Sequence, residues 1–158
     1  MNIRTFLDEN QVILSLKGQT KEAVVEELAA TLVANEKIRN MDQFIQDVWG
    51  REKLGDTAVG FEIAIPHARS SAVVSPAIAI GFTDGLHWNG EEDGCVKLVV
   101  LLAVPEENAA NNHMAILSNV ALMLVDEESR QALFAAGTPM DVLDTIEAYQ
   151  RKKGGGLE

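Results

Sequence analysis

The sequence predicts an α/β domain built on one mixed β-sheet with helices on its faces. Aliphatic and β-branched runs at 12–16, 61–65, 77–82 and 96–104 read as strands. Apolar residues at helical spacing fall between and after them. Strands and helices do not alternate strictly, so the sheet is expected to be mixed, not wholly parallel. A length of 158 residues and a hydrophobic content of 47% suit a single compact core.

The first run, in "QVILSLKGQ", ends at Gly18, and Thr20 then offers an N-cap to a helix. Val24, Val25, Leu28, Ala29, Leu32 and Val33 make one apolar stripe along it, which should pack on the sheet. Asn40 opens a second helix, with Gln43 placed for a variant capping box and Phe44, Ile45, Val48 and Trp49 on one face. Gly50 is expected to loosen this helix before Arg51 and Glu52. The run 96–104 is too continuously apolar for a sheet face open to water, so its strand should be covered on both sides. Before it, "TDGLHWNGEEDG" reads as a turn or short hairpin; after it, Pro105 ends the strand. His113, Ile116, Leu117, Val120, Ala121 and Leu124 share a helical face. Asp126 caps a short helix that stops at Gly137, and Thr138-Pro139 starts the last one. The tail at 151–158, "RKKGGGLE", has no apolar pattern and reads as linker and cloning residue, which leaves 1–150 as the domain.

Composition excludes several classes of function. With 24 acidic and 13 basic residues the formal charge is -11, and no Lys/Arg cluster with interleaved aromatics is present to follow a phosphate backbone, so nucleic acid is not an expected partner. No apolar run approaches the roughly 18 residues of a membrane-spanning helix, and "MNIRTFLDENQ" lacks the layout of a secretory signal. A soluble cytoplasmic protein without direct membrane insertion is the expectation. A lone cysteine, Cys95, allows no intrachain disulfide and reads as a half-buried strand residue. There is no H-E-x-x-H, no C-x-x-C, no G-x-S-x-G and no glycine-rich phosphate loop, so neither a metal nor any other cofactor is expected. A metal-dependent hydrolase using His67 and His113 is correspondingly a distant alternative.

The histidines hold the chemistry. In "FEIAIPHARS", Pro66 cannot donate to a sheet ladder and restricts Ile65 to extended geometry, so the strand is expected to end there and present His67 at its terminus. Ligands of open α/β sheets collect beyond strand ends, which makes His67 either a functional residue or an ordinary loop histidine. His113 lies in the first turn of its helix on the apolar face. It is either a partly buried imidazole bonded to a backbone carbonyl or, beside a helix N-terminus that welcomes anions, a hydrogen-bond donor to a phosphoryl oxygen. His87, beside Trp88 in the turn-rich segment, is assigned no role.

Arg51-Glu52, Thr57, Gly60, "IAIPHA" at 63–68, a strand ending in "LLAVP" and "HMAILSNVALML" follow one another in an order that resembles the enzyme IIA domains of the fructose/mannitol type in the bacterial phosphoenolpyruvate-dependent sugar phosphotransferase system. The resemblance covers about residues 1–150. It implies a phosphohistidine carrier that accepts a phosphoryl group from the small phosphocarrier protein HPr and passes it to a cysteine of a IIB domain, with a membrane IIC component served indirectly. By match to the family motif, His67 is the acceptor, His113 an assisting histidine and Arg51 a contact for the phosphoryl oxygens. Thr57 and Arg69 are secondary candidates. Glu62 stands where many members have glycine, and is expected to point to solvent or pair with a cation while Phe61 or Ile63 takes the inward face. Within the same fold, a nitrogen-related regulatory protein that signals by phosphorylation-dependent binding is the alternative to a transport component.

Overall fold

The computed structural model describes residues 3–88, 95–106 and 110–153, without the side chains of 110–114. Its strands are β1 (Val12–Ile13), β2 (Ala58–Gly60), β3 (Ile63–Ala64), β4 (His67–Ser70), β5 (Ala77–Leu86) and β6 (Val96–Pro105). Its helices are α1 (Lys21–Ala34), α2 (Met41–Glu52), α3 (Ala110–Val125), α4 (Glu127–Phe134) and α5 (Pro139–Lys152). The sheet order is β1-β5-β6-β3-β2, with β4 also on β6. β5 and β6 pair antiparallel, whereas β1 on β5 and both β3 and β4 on β6 are parallel, so the sheet is mixed as expected.

β6 shows why both faces are covered. Val99, Leu101 and Ala103 belong to one apolar layer with α1 and α2; Leu98, Val100 and Leu102 belong to the other with α3 and α5. Alternation along a strand sends neighbours to opposite faces, so a run apolar at every position needs two cores. Thr20 caps α1 by accepting from the Ala23 amide, and the stripe Val24, Val25, Leu28, Ala29 and Leu32 is buried while Val33 lies outside it.

Gly50 does not loosen α2, which runs through it to Glu52. A mid-helix glycine costs about 1 kcal/mol, less than burial of Phe44 and Val48 supplies at about 1.5–3 kcal/mol each. Asn40 caps α2 through the Gln43 amide, but the Gln43 side chain donates to Asp47 and does not close the box.

The run 61–65 is not one strand. Phe61 and Glu62 adopt φ of 58° and 66° and turn β2 into β3 as the two-residue loop between the paired Gly60 and Ile63. Nor does the strand end at Pro66. Ile63 faces Leu98 and His67 faces Leu102, so β4 resumes β3's register on β6. The proline removes one amide donor, while its carbonyl still accepts from Leu102 N at 3.0 Å, and the ladder skips one bond and continues. His67 therefore begins a strand segment.

Asp126 accepts from the Ser129 hydroxyl at 2.7 Å and amide at 3.1 Å, capping α4. These bonds, with Lys152 beside them, hold its carboxyl below the usual range. A depressed carboxyl contributes stability that is present above its unfolded pKa and is lost as pH falls through the folded one. The stability deficit of Asp126→Ala, measured by urea unfolding, should be constant from about pH 6 to 8 and narrow below about pH 4; an equal deficit at pH 3 would contradict the cap's charge.

Candidate active site

Along β3 and β4 the residues alternate between layers. Ile63 and Ile65 belong to the layer of α3 and α5, and Ala64 and Ala68 to that of α1 and α2. Continuing the period, His67 and Arg69 fall on the α3 side, His67 half-buried and Arg69 exposed.

Ile65 donates its amide to Thr57 O at 2.9 Å, away from β6, while Glu62 and Pro66 turn their carbonyls to the amides of Leu98 and Leu102. The Ile65 carbonyl therefore also faces away from β6, and His67 Nδ1 lies 2.8 Å from it. A carbonyl can only accept, so Nδ1 carries the proton in that contact, and in the neutral ring the lone pair is then on Nε2. Nε2 meets no hydrogen-bond partner among the described residues. In the neutral ring, the contact fixes the tautomer and leaves the Nε2 lone pair free.

The turn ahead of the histidine is strained. A left-handed conformation costs about 1–2 kcal/mol for a residue other than glycine, and two occur in succession. Glu62 pairs with Lys97 Nζ at 3.3 Å, directed to a cation as expected, but both groups are about half exposed and such a pair returns at most about 1 kcal/mol. Ile63 takes the inward face. Phe61 is 52% exposed, with the Arg130 guanidinium 3.9 Å above its ring and Arg130 Nη1 bonded to Leu124 O. Phe61, Glu62, Arg130 and Phe134 line an open cleft.

At the end of α2, which packs against β4, Arg51 Nη1 donates to Gly55 O at 2.8 Å. No hydrogen bond joins it to His67 among the described residues. Thr57 is buried, its hydroxyl given to Glu52. The same Glu52 carboxylate faces the Thr57 amide at 3.4 Å and receives the Trp88 indole N–H at 3.3 Å. Glu52 was visible only as half of the Arg-Glu pair; the buried Thr57 and Trp88 donors that need its oxygens are brought to it by the fold.

His113 falls in the first turn of α3, its side chain outside the described residues. His87 is exposed. Cys95 is exposed as well, immediately before β6 and not half-buried within it. Among the described residues no group of three or more His, Cys, Asp or Glu could hold a metal ion, and no helix is long and apolar enough to cross a membrane.

Residues 5–149 match the family described as "Phosphoenolpyruvate-dependent sugar phosphotransferase system, EIIA 2". The chain belongs to this family. As an EIIA type-2 domain it is a phosphotransferase system component. It is 34% identical over 149 residues to the PTS system 2-O-alpha-mannosyl-D-glycerate-specific EIIABC component of Escherichia coli, an alignment that covers 93% of this chain and 23% of that one. The chain thus spans about a quarter of the length of such multi-component relatives. It is also 30% identical to the PTS system fructose-specific EIIA component of Haloferax volcanii, over 92% of this chain and 94% of that one. In structure it is similar to the nitrogen regulatory protein IIA-Ntr of Neisseria meningitidis, with a TM-score of 0.82, 26% identity, and coverage of 91% and 98% of the two chains.

Arg51 contributes one backbone hydrogen bond at a partly exposed position. Arg51→Ala should therefore lower stability by no more than about 1.5 kcal/mol in a urea titration; a loss of several kcal/mol would make the residue structural.

Proposed function

We propose that the chain is a phosphohistidine carrier of the phosphoenolpyruvate-dependent sugar phosphotransferase system, with His67 as acceptor through Nε2. The observation that carries this reading is the Nδ1 contact to the Ile65 carbonyl, which leaves Nε2 as the ring's only lone pair. Phospho-HPr is the donor and a IIB cysteine the recipient. The Nε2 lone pair forms the new bond to phosphorus as the donor's P–N bond breaks and its electron pair returns to the donor ring. The proton stays on Nδ1. The acceptor ring gains positive charge as the bond forms, and the Ile65 carbonyl dipole favours that charge.

Transfer of this kind needs alignment and charge stabilisation. Arg51 is assigned to the phosphoryl oxygens, which requires its side chain to exchange the Gly55 carbonyl for the phosphoryl group. Arg69, on the same strand face as His67, is a secondary contact. His113 is assigned an assisting role, supported by its place one turn ahead of Ile116, in a helix whose Ile116 and Val120 pack in the layer of Ile63 and Ile65. Thr57, a secondary candidate, has its hydroxyl engaged by Glu52 and is assigned a supporting place behind the site. Donor and recipient each place a residue in line with one nitrogen, so they use overlapping, transient surfaces around it. A cytoplasmic location follows from those partners, and the domain is taken as 1–150.

The likeness to the nitrogen regulatory protein favours a second reading, in which phosphorylation alters binding to a target. The sugar-specific relatives are the more identical in sequence, at 34% and 30%, and support the transport role.

Intact-mass spectrometry at neutral pH after incubation with enzyme I, HPr and phosphoenolpyruvate should show one acid-labile phosphoryl group that His67→Ala abolishes. Full acceptance by His67→Ala would reject the assignment. His113→Ala should fold and accept more slowly, and Arg51→Ala should lose about 2–4 kcal/mol of transition-state stabilisation; unchanged rates would remove those roles.

A further inference from the structure

One carboxylate serves three donors on the flank of the histidine. Glu52 sits at the last position of α2, half-buried, and accepts from the Thr57 hydroxyl, the Thr57 amide and the buried Trp88 indole. Trp88 is 2% exposed and Thr57 4%, so each of their donors would be costly to leave unpaired. Thr57 in turn presents its carbonyl to the Ile65 amide at 2.9 Å, and Ile65 presents its carbonyl to His67 Nδ1 at 2.8 Å. Glu52, Thr57, Ile65 and His67 thus form one connected set of hydrogen bonds from the end of a helix to the imidazole.

The Ile65 side chain is packed in the buried layer of α3 and α5, but on the side away from β6 its backbone hydrogen bonds only to Thr57 among the described residues. β3 has two residues, Pro66 offers β6 no amide, and β4 pairs on one side only. The Ile65 carbonyl is held in direction by the Ile65 amide's bond to Thr57, and Thr57 is held by Glu52. We infer that Glu52 is a positioning residue for the phosphoryl-accepting histidine, acting through Thr57 and Ile65 to keep the proton on His67 Nδ1 and the lone pair on Nε2. It touches neither the ring nor the reacting phosphorus. Trp88 anchors it from the other side, so the packing of the β5 end is tied to the same carboxylate.

This inference rests on the reading of His67 as acceptor, and two variants with two readouts keep them apart. Glu52→Gln keeps one acceptor oxygen but points an NH2 group at donors. Thr57→Val preserves shape and removes only the hydroxyl, leaving the carboxylate and its Trp88 contact. In the unphosphorylated wild-type protein the His67 ring 15N shifts should report the neutral Nδ1–H tautomer. In both variants, with folding confirmed by amide spectra, they should move toward a mixture with Nε2–H, and the rate of acceptance from phospho-HPr should fall roughly ten- to hundredfold. His67 shifts at their wild-type positions in a folded variant would overturn the inference, whether or not the rate changes. If Glu52→Gln does not fold, Thr57→Val decides alone. A tautomer shift in a protein whose acceptance survives His67→Ala would keep the positioning role and discard the carrier reading.

Discussion

The hydrogen bond between His67 Nδ1 and the Ile65 carbonyl is the constraint around which the site is built, and it forms where no neighbouring strand claims that carbonyl. A regular strand would engage Ile65 with a second neighbour and present the following side chain with no local partner. Here β2 begins only at Ala58, so beyond Thr57 no strand meets Ile65, and the Ile65 carbonyl is left facing away from β6 within reach of a ring two residues later. The interaction fixes a tautomer and a direction together. A β2 begun earlier in the chain would compete with the imidazole for that carbonyl.

The surrounding structure bears the cost of this irregularity. The hairpin that enters β3 holds two residues in the left-handed region, and neither the half-exposed Glu62–Lys97 pair nor the Phe61–Arg130 stack, at about 0.5–1 kcal/mol for an exposed cation–π contact, outweighs that strain alone. What sustains it is the parallel ladder to β6, a strand buried on both faces. The rigid centre of the sheet lets its margin carry strain, a broken ladder and a half-exposed imidazole. On the proposed reading of His67 as phosphoryl acceptor, that margin has a use, since the histidine would have to be firmly held and still be reached by a donor and a recipient.

The layered α/β plan was legible because its signals are local and redundant. Thr20, Asn40, Asp126 and Thr138 each announce a helix and each caps one, and the uninterrupted apolar run of β6 required two cores. The segment 61–70 misled because its signals compete. Phe61, Ile63 and Ile65 have strand propensity, yet tertiary pairing turns the chain at Phe61 and Glu62, residues that carry no turn chemistry. Pro66 reads as a stop, yet costs only one bond of a ladder with further pairs beyond it. The motif drew attention to His67 but carried no signal for Glu52, whose donors, as distant in sequence as Trp88, only the fold assembles.

The central claim is that the chain offers the phosphoryl group one nitrogen. Its most direct test is the 15N spectrum of the phosphorylated, 15N-labelled protein, in which bonding to phosphorus appears as a 15N–31P coupling on one ring nitrogen. The coupling should fall on His67 Nε2 with Nδ1 still protonated. A coupling on Nδ1 would mean that the contact with the Ile65 carbonyl is broken for transfer, and would contradict the account.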